Sequence, residues 1–135
     1  MFHFLVTADD KAWEDGFGFE EFSRGRFLEY TSDAIAARFT PLTTEHIVEL
    51  QKLPCLCAYE GERDLKVGRI KHIAISSGLI RVEVEFDPAI PPIPFAAFYK
   101  QKKRFAVHEW EFSRTHWALK SGNLISQLWD AGLLP

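Results

Sequence analysis

Hydrophobic and polar positions alternate most cleanly near the middle of the chain. Ile80, Val82, Val84 and Phe86 take turns with Arg81, Glu83, Glu85 and Asp87, the period of a strand with one face in a core and one in water. Lys66–Ile75 carries the same period until Lys71-His72, after which Ile73 no longer shares parity with Ile70. An extra residue there, a β-bulge, restores the pattern. Ser76-Ser77-Gly78 then turns the chain, so the two strands form a hairpin. Cys55, Cys57 and Tyr59 share one face of a further short strand, with Gly61 turning after it. Phe2, Phe4 and Val6 against His3, Leu5 and Thr7 mark a first strand at the start.

Helical spacing takes over elsewhere. Ser32 and Asp33 cap a helix through Ala34–Phe39 that Pro41 stops. Thr43 or Thr44 caps a second, with Ile47, Val48, Leu50 and Leu53 inward, Glu45, Glu49, Gln51 and Lys52 outward, and Pro54 at its end. Pro88–Pro94 contains four prolines and cannot be a central strand; it reads as an extended crossover into a short helix or turn, Phe95–Lys100. Residues 105–119 read as partly strand-like. Ser121 caps a last helix, Gly122–Asp130, burying Leu124, Ile125, Leu128 and Trp129 before Gly132 closes it. Residues 9–25 fit neither period. Trp13, Phe17, Phe19 and Phe22 recur among acids and glycines, predicting an irregular segment pinned by aromatics, with a helical turn at 9–15 or 19–24. The expected class is α+β: a small curved antiparallel sheet or partial barrel flanked by N-terminal and C-terminal helices.

Composition narrows the picture. The 135 residues are 47% hydrophobic, 26% charged and 14% aromatic, with twelve Phe and four Trp. That size and content suit one folded domain, 1–135, and exclude disordered and collagen-like chains. No apolar run reaches the ~20 residues of a membrane helix, and the N-terminus lacks the basic and apolar regions of a secretory leader. With two cysteines in a Cys-Leu-Cys arrangement, the expected location is the cytoplasm. The net charge of −3 is uneven. Residues 1–64 hold 13 acids and 6 bases, a balance of −7, and residues 65–135 hold 6 acids and 10 bases, a balance of +4. The halves can attract each other, or present a basic face to an anionic partner.

The densest polar cluster is His108-Glu-Trp-Glu-Phe-Ser-Arg-Thr-His116. It is not a zinc-protease helix, because Phe112 stands where HExxH needs its second His. On a strand, His108 and His116 would lie ~27 Å apart, too far for one metal, while Glu109 and Glu111 would share a face ~7 Å apart. Arg114 offers a rigid fork for an anion, beside His116 and the stacking plane of Trp117; pairing of Arg114 with an N-terminal acid and burial of Trp117 is the competing expectation. The run Lys100, Lys102, Lys103 and Arg104, flanked by Tyr99 and Phe105, carries ingredients of a single-strand nucleic acid surface, though overall acidity disfavours that partner. Cys55 and Cys57 alone make neither a redox nor a zinc motif, and no Walker, dinucleotide or serine-hydrolase signature occurs. No cofactor or metal is implied.

The stretch Glu111-Phe-Ser-Arg-Thr-His-Trp-Ala-Leu-Lys120, with the hairpin and Pro-rich crossover before it, resembles small bacterial proteins encoded as mobile integron gene cassettes. The similarity covers residues 66–128 and implies an accessory product. No activity is established for that group, so it assigns no role to any residue.

Three functional readings follow, the third being a single-stranded nucleic acid binder through Lys100, Lys102, Lys103 and Arg104. The leading expectation is a cytosolic binding or interaction module, a homo-oligomer and most simply a dimer. Its aromatic surplus at Trp13, Phe17, Phe19 and Phe22 would meet a second copy or a protein partner. The alternative is a small-molecule binder or enzyme with an aromatic-walled pocket, using His108, Glu109, Glu111, Arg114, His116 and Trp117.

Overall fold

The computed structural model describes residues 1–135. Six strands form one sheet: β1 (Phe2–Thr7), β2 (Phe17–Ser23), β3 (Pro54–Tyr59), β4 (Lys66–Ser76), β5 (Leu79–Phe86) and β6 (His116–Lys120). Four short helices accompany them: α1 (Asp33–Phe39), α2 (Thr44–Leu50), α3 (Phe95–Gln101) and α4 (Leu124–Asp130). The spatial order is β2-β5-β4-β3-β1-β6. The class is α+β as expected, but the sheet is mixed, because β1 pairs parallel to β3 while every other pair is antiparallel. The helices sit mid-chain and at the end, since the chain opens with two strands. The sheet curves without closing. The chain just beyond β2 reaches β6 through a single bridge, Phe27 to Trp117, with the Leu28 N–H donating to the Trp117 carbonyl at 2.6 Å. No helix is long and apolar enough to cross a membrane.

The sheet separates two cores. One face gathers Leu5, Phe22, Cys55, Cys57, Val82, Val84 and Trp117 under α1 and α2. The other gathers Phe4, Leu56, Ala58, Phe98, Phe112 and Leu128 under α3, α4 and the 3-10 turns between α3 and β6. All six residues of β1 are consequently buried, which is why His3 and Thr7 are core residues despite their polarity. The bulge in β4 falls between Ile70 and His72, as the parity break predicts.

Local chemistry sets the details. Thr43 caps α2, its side-chain oxygen accepting from the His46 N–H at 3.2 Å. Asn123, not Ser121, caps α4, accepting from the Ser126 N–H at 2.9 Å. That helix buries only the stripe of Leu124 and Leu128; Ile125 and Trp129 face outward, contrary to expectation, at 41% and 65% exposure. Residues 17–23 are a strand rather than an irregular segment or helical turn. The expected irregularity holds for 8–16, where Trp13 plunges into the first core and donates its indole N–H to the Ala58 carbonyl at 2.9 Å. Gly18 is required beneath it: an added Cβ would lie 2.5 Å from the Trp13 ring.

Candidate functional site

The second core contains three polar side chains. β6 points His116, Ala118 and Lys120 to one face and Trp117 and Leu119 to the other, so His116 and Lys120 enter this core. Residues 109–113 form a 3-10 turn that drops Glu111 between them. Exposure is 0% for Glu111 and His116 and 3% for Lys120.

Lys120 has three N–H donors and three partners. Its Nζ lies 2.8 Å from the Tyr30 carbonyl, 2.9 Å from the Ala106 carbonyl and 3.0 Å from Glu111 Oε1. Tyr30 and Ala106 are both non-glycine residues in the left-handed region, at φ 55° and 56°, a conformation that costs free energy and persists where surrounding structure enforces it. Here the ammonium draws both carbonyls inward. Burial works to raise the Glu111 carboxyl, but hydrogen bonds from His116, from the His108 backbone N–H at 2.7 Å and from Lys120 outweigh it, holding it below the ordinary carboxylate range. Burial also lowers the Lys120 ammonium, against the opposing pull of Glu111.

His116 completes the cluster. Its Nδ1 lies 2.6 Å from the Arg114 carbonyl and its Nε2 3.1 Å from Glu111 Oε1. A carbonyl and a carboxylate can only accept, so both ring nitrogens of His116 face acceptors. The Tyr30 ring stands edge-on to the imidazole, centroids 4.9 Å apart.

Above this cluster lies a cleft of about 420 Å³; of the three side chains only Lys120 lines it, Glu111 and His116 being buried beneath. Tyr30 walls one part of it and Trp110 another, with the His108 ring stacked on Trp110 at 4.6 Å and 4°. Ser32 and Ser121 add hydroxyls, and Ile35 and Leu119 add apolar surface. Trp110 is 51% exposed and Tyr30 37%.

Of the residues expected to converge, Glu111 and His116 bring their side chains together at 3.1 Å; His108 reaches Glu111 only through its backbone N–H, its exposed ring being stacked on Trp110. Glu109 does not join them: a 3-10 turn breaks the parity it would share with Glu111 on a strand, and it faces solvent, accepting from the Tyr99 hydroxyl at 3.3 Å. Nor do His108 and His116 lie at strand distance, because the turn folds the segment back. Arg114 pairs at the surface with Glu29, an acid of the N-terminal half, at 2.9 Å, and Trp117 belongs to the opposite core. Lys100 and Lys103 face solvent, Lys102 lies over the Tyr99 ring at 3.9 Å, and Arg104 donates to Gln101 at 2.7 Å. Trp13 and Phe22 are fully buried and cannot belong to an oligomer surface, whereas Phe17 and Phe19 are 66% and 41% exposed. Lys120, Tyr30 and Trp110 are the cleft residues that sequence reasoning passes over. For Lys120 a signal exists, since it shares parity with His116 across Ala118.

The arrangement is built to hold shape. Every hydrogen of the Lys120 ammonium is committed, and Glu111 and His116 do not reach the cleft surface. No group of three or more His, Cys, Asp or Glu side chains is placed to hold a metal. No protein-family model, curated protein or solved structure matches this chain.

Proposed function

We propose that this protein is a small binding module whose ligand is a flat, uncharged aromatic or heteroaromatic molecule seated between Tyr30 and Trp110. One observation carries the reading: the buried Glu111–His116–Lys120 cluster holds two strained backbone turns in place beneath a cleft with aromatic walls. The volume of about 420 Å³ falls within the usual range of small-ligand sites and suits one or two fused rings. The absence of charge follows from the lining: Lys120, paired with Glu111 and bonded to two carbonyls, has no donor left for an anion, and the cleft offers a cation no carboxylate. Hydroxyls at Ser32 and Ser121 offer neutral hydrogen bonds.

Binding is favoured over catalysis because Glu111 and His116 are sealed from the cleft and Lys120, which lines it, has all its donors committed. We place the protein in the cytoplasm, where a reducing environment suits Cys55 and Cys57, free thiols with sulfurs 3.9 Å apart. An isosteric series tests the ligand class: benzamide should bind, and benzoate and benzamidinium should bind at least about tenfold more weakly. Trp110→Ala should remove the benzamide response with the fold intact. Equal binding of all three compounds, or binding indifferent to Trp110→Ala, would refute the proposal.

A further inference from the structure

Half of one sheet face has no helix over it. The register lays its outward side chains in rows across the strands. The first row runs Phe17 on β2, Glu85 on β5, Arg69 on β4 and Pro54 on β3. The second runs Phe19, Glu83 and His72, and the third Glu21, Arg81 and Ala74. Beyond Pro54 stands α4, whose outer stripe shows Ile125 and, one turn on, Trp129. Between α4 and the open strands lies a groove of about 420 Å³, lined by Pro54, Val67, Arg69, Glu85, Pro88 and Ile125.

In the first two rows the charges on this face are sorted by strand, Arg81 of the third row lying instead over the Phe19 ring. β4 carries the cations Arg69 and Lys71 and the polar His72, while its neighbour β5 carries Glu83 and Glu85 at the same levels. A two-fold axis parallel to the strands, along the seam between β4 and β5, exchanges those two columns. Arg69 then meets the partner's Glu85, and His72 the partner's Glu83. The same operation carries β2 over the position of β3, so Phe17 comes to the partner's groove beside α4. An axis along β5 would instead oppose Glu85 to Glu85, and one along β4 Arg69 to Arg69, both like-charged. We propose that this face is the interface of a homodimer on the β4/β5 seam, with Phe17 of each copy seated in the groove of the other. A closed, isologous contact needs this self-complementarity, and a large aromatic anchored in a pocket is the usual source of interface affinity. The Arg69–Glu85 pair within one chain does not compete strongly. Its side chains are 67% and 31% exposed, where ion pairs contribute little.

Sedimentation equilibrium on the full chain, from low micromolar to low millimolar concentration, tests this. The mass should rise from 15.5 kDa to twice that value. Arg69→Glu and Glu85→Arg should each weaken association at least about tenfold, and the double exchange should recover most of the loss. Phe17→Ser should weaken it comparably. Circular dichroism confirms that each variant folds, which exposed positions permit. A monomer across the whole range, or a dimer indifferent to both Arg69→Glu and Phe17→Ser, would overturn the proposal.

Discussion

Acid should loosen the fold through one residue, His3. Its ring lies in the first core, fully buried, and its two nitrogens have opposite partners. Nε2 is 2.7 Å from the Leu50 carbonyl, which can only accept, so Nε2 carries the hydrogen and satisfies the last carbonyl of α2. Nδ1 accepts from the Trp117 indole N–H at 2.9 Å. Protonation would set one N–H against another. Burial, opposed by the Leu50 bond, depresses the pKa from 6.5 to about 4. The difference of about 2.5, at 1.36 kcal/mol for each pH unit, makes neutral His3 worth roughly 3 kcal/mol. Because the folded value is the lower one, this stability is present above pH 6.5 and is lost as pH falls toward 4. Urea unfolding from about pH 8 to about pH 4 measures it. In His3→Gln, an amide that can replace both bonds without titrating, the gap from wild type should narrow and then reverse as pH falls, shifting by about 3 kcal/mol. Parallel pH curves for the two proteins would refute the reasoning.

Further predictions concern the second core and the cleft. Lys120→Met leaves Glu111 without its ammonium and two carbonyls without a donor, so chemical denaturation should show a loss of about 3–5 kcal/mol; Lys120→Met combined with Glu111→Gln should regain part of it. Trp110→Ala removes a side chain that stacks on His108 and is half in solvent. It should change stability by no more than about 0.5 kcal/mol in the same assay while abolishing ligand binding. Gly18→Ala forces a Cβ to 2.5 Å from Trp13 and 2.9 Å from the Ala12 carbonyl, and thermal melts should register a cost of about 1–3 kcal/mol.

The β4–β5 hairpin and its bulge were legible because one face of each strand meets water, leaving the alternation intact. β2 inverts that logic. Its outward positions hold Phe17 and Phe19, and its inward ones hold Gly18, which makes room for Trp13, Glu20, which accepts from the Thr7 hydroxyl, and only at the end an apolar residue, Phe22. A strand with aromatics outside and glycine, glutamate and a single Phe inside shows no alternation to read. Parallel pairing of β1 with β3 joins segments about fifty residues apart and leaves no local trace. Beneath the cleft, Glu111 and His116 stand out within a polar cluster, but the 3-10 turn that brings them together is hidden, since Trp110 and Phe112 alternate with acids as they would on a strand. Tyr30 and Ala106 contribute backbone carbonyls, which side-chain identity cannot announce.

The four indole N–H groups offer the most direct test of the central claim. Trp13 and Trp117 bond within the first core, Trp110 walls the cleft, and Trp129 stands on α4 beside the open face. Nuclear magnetic resonance titration with benzamide should move the Trp110 resonance and leave Trp13, Trp117 and Trp129 in place. A response confined to Trp129, or a still Trp110 resonance at saturating benzamide, would contradict the account.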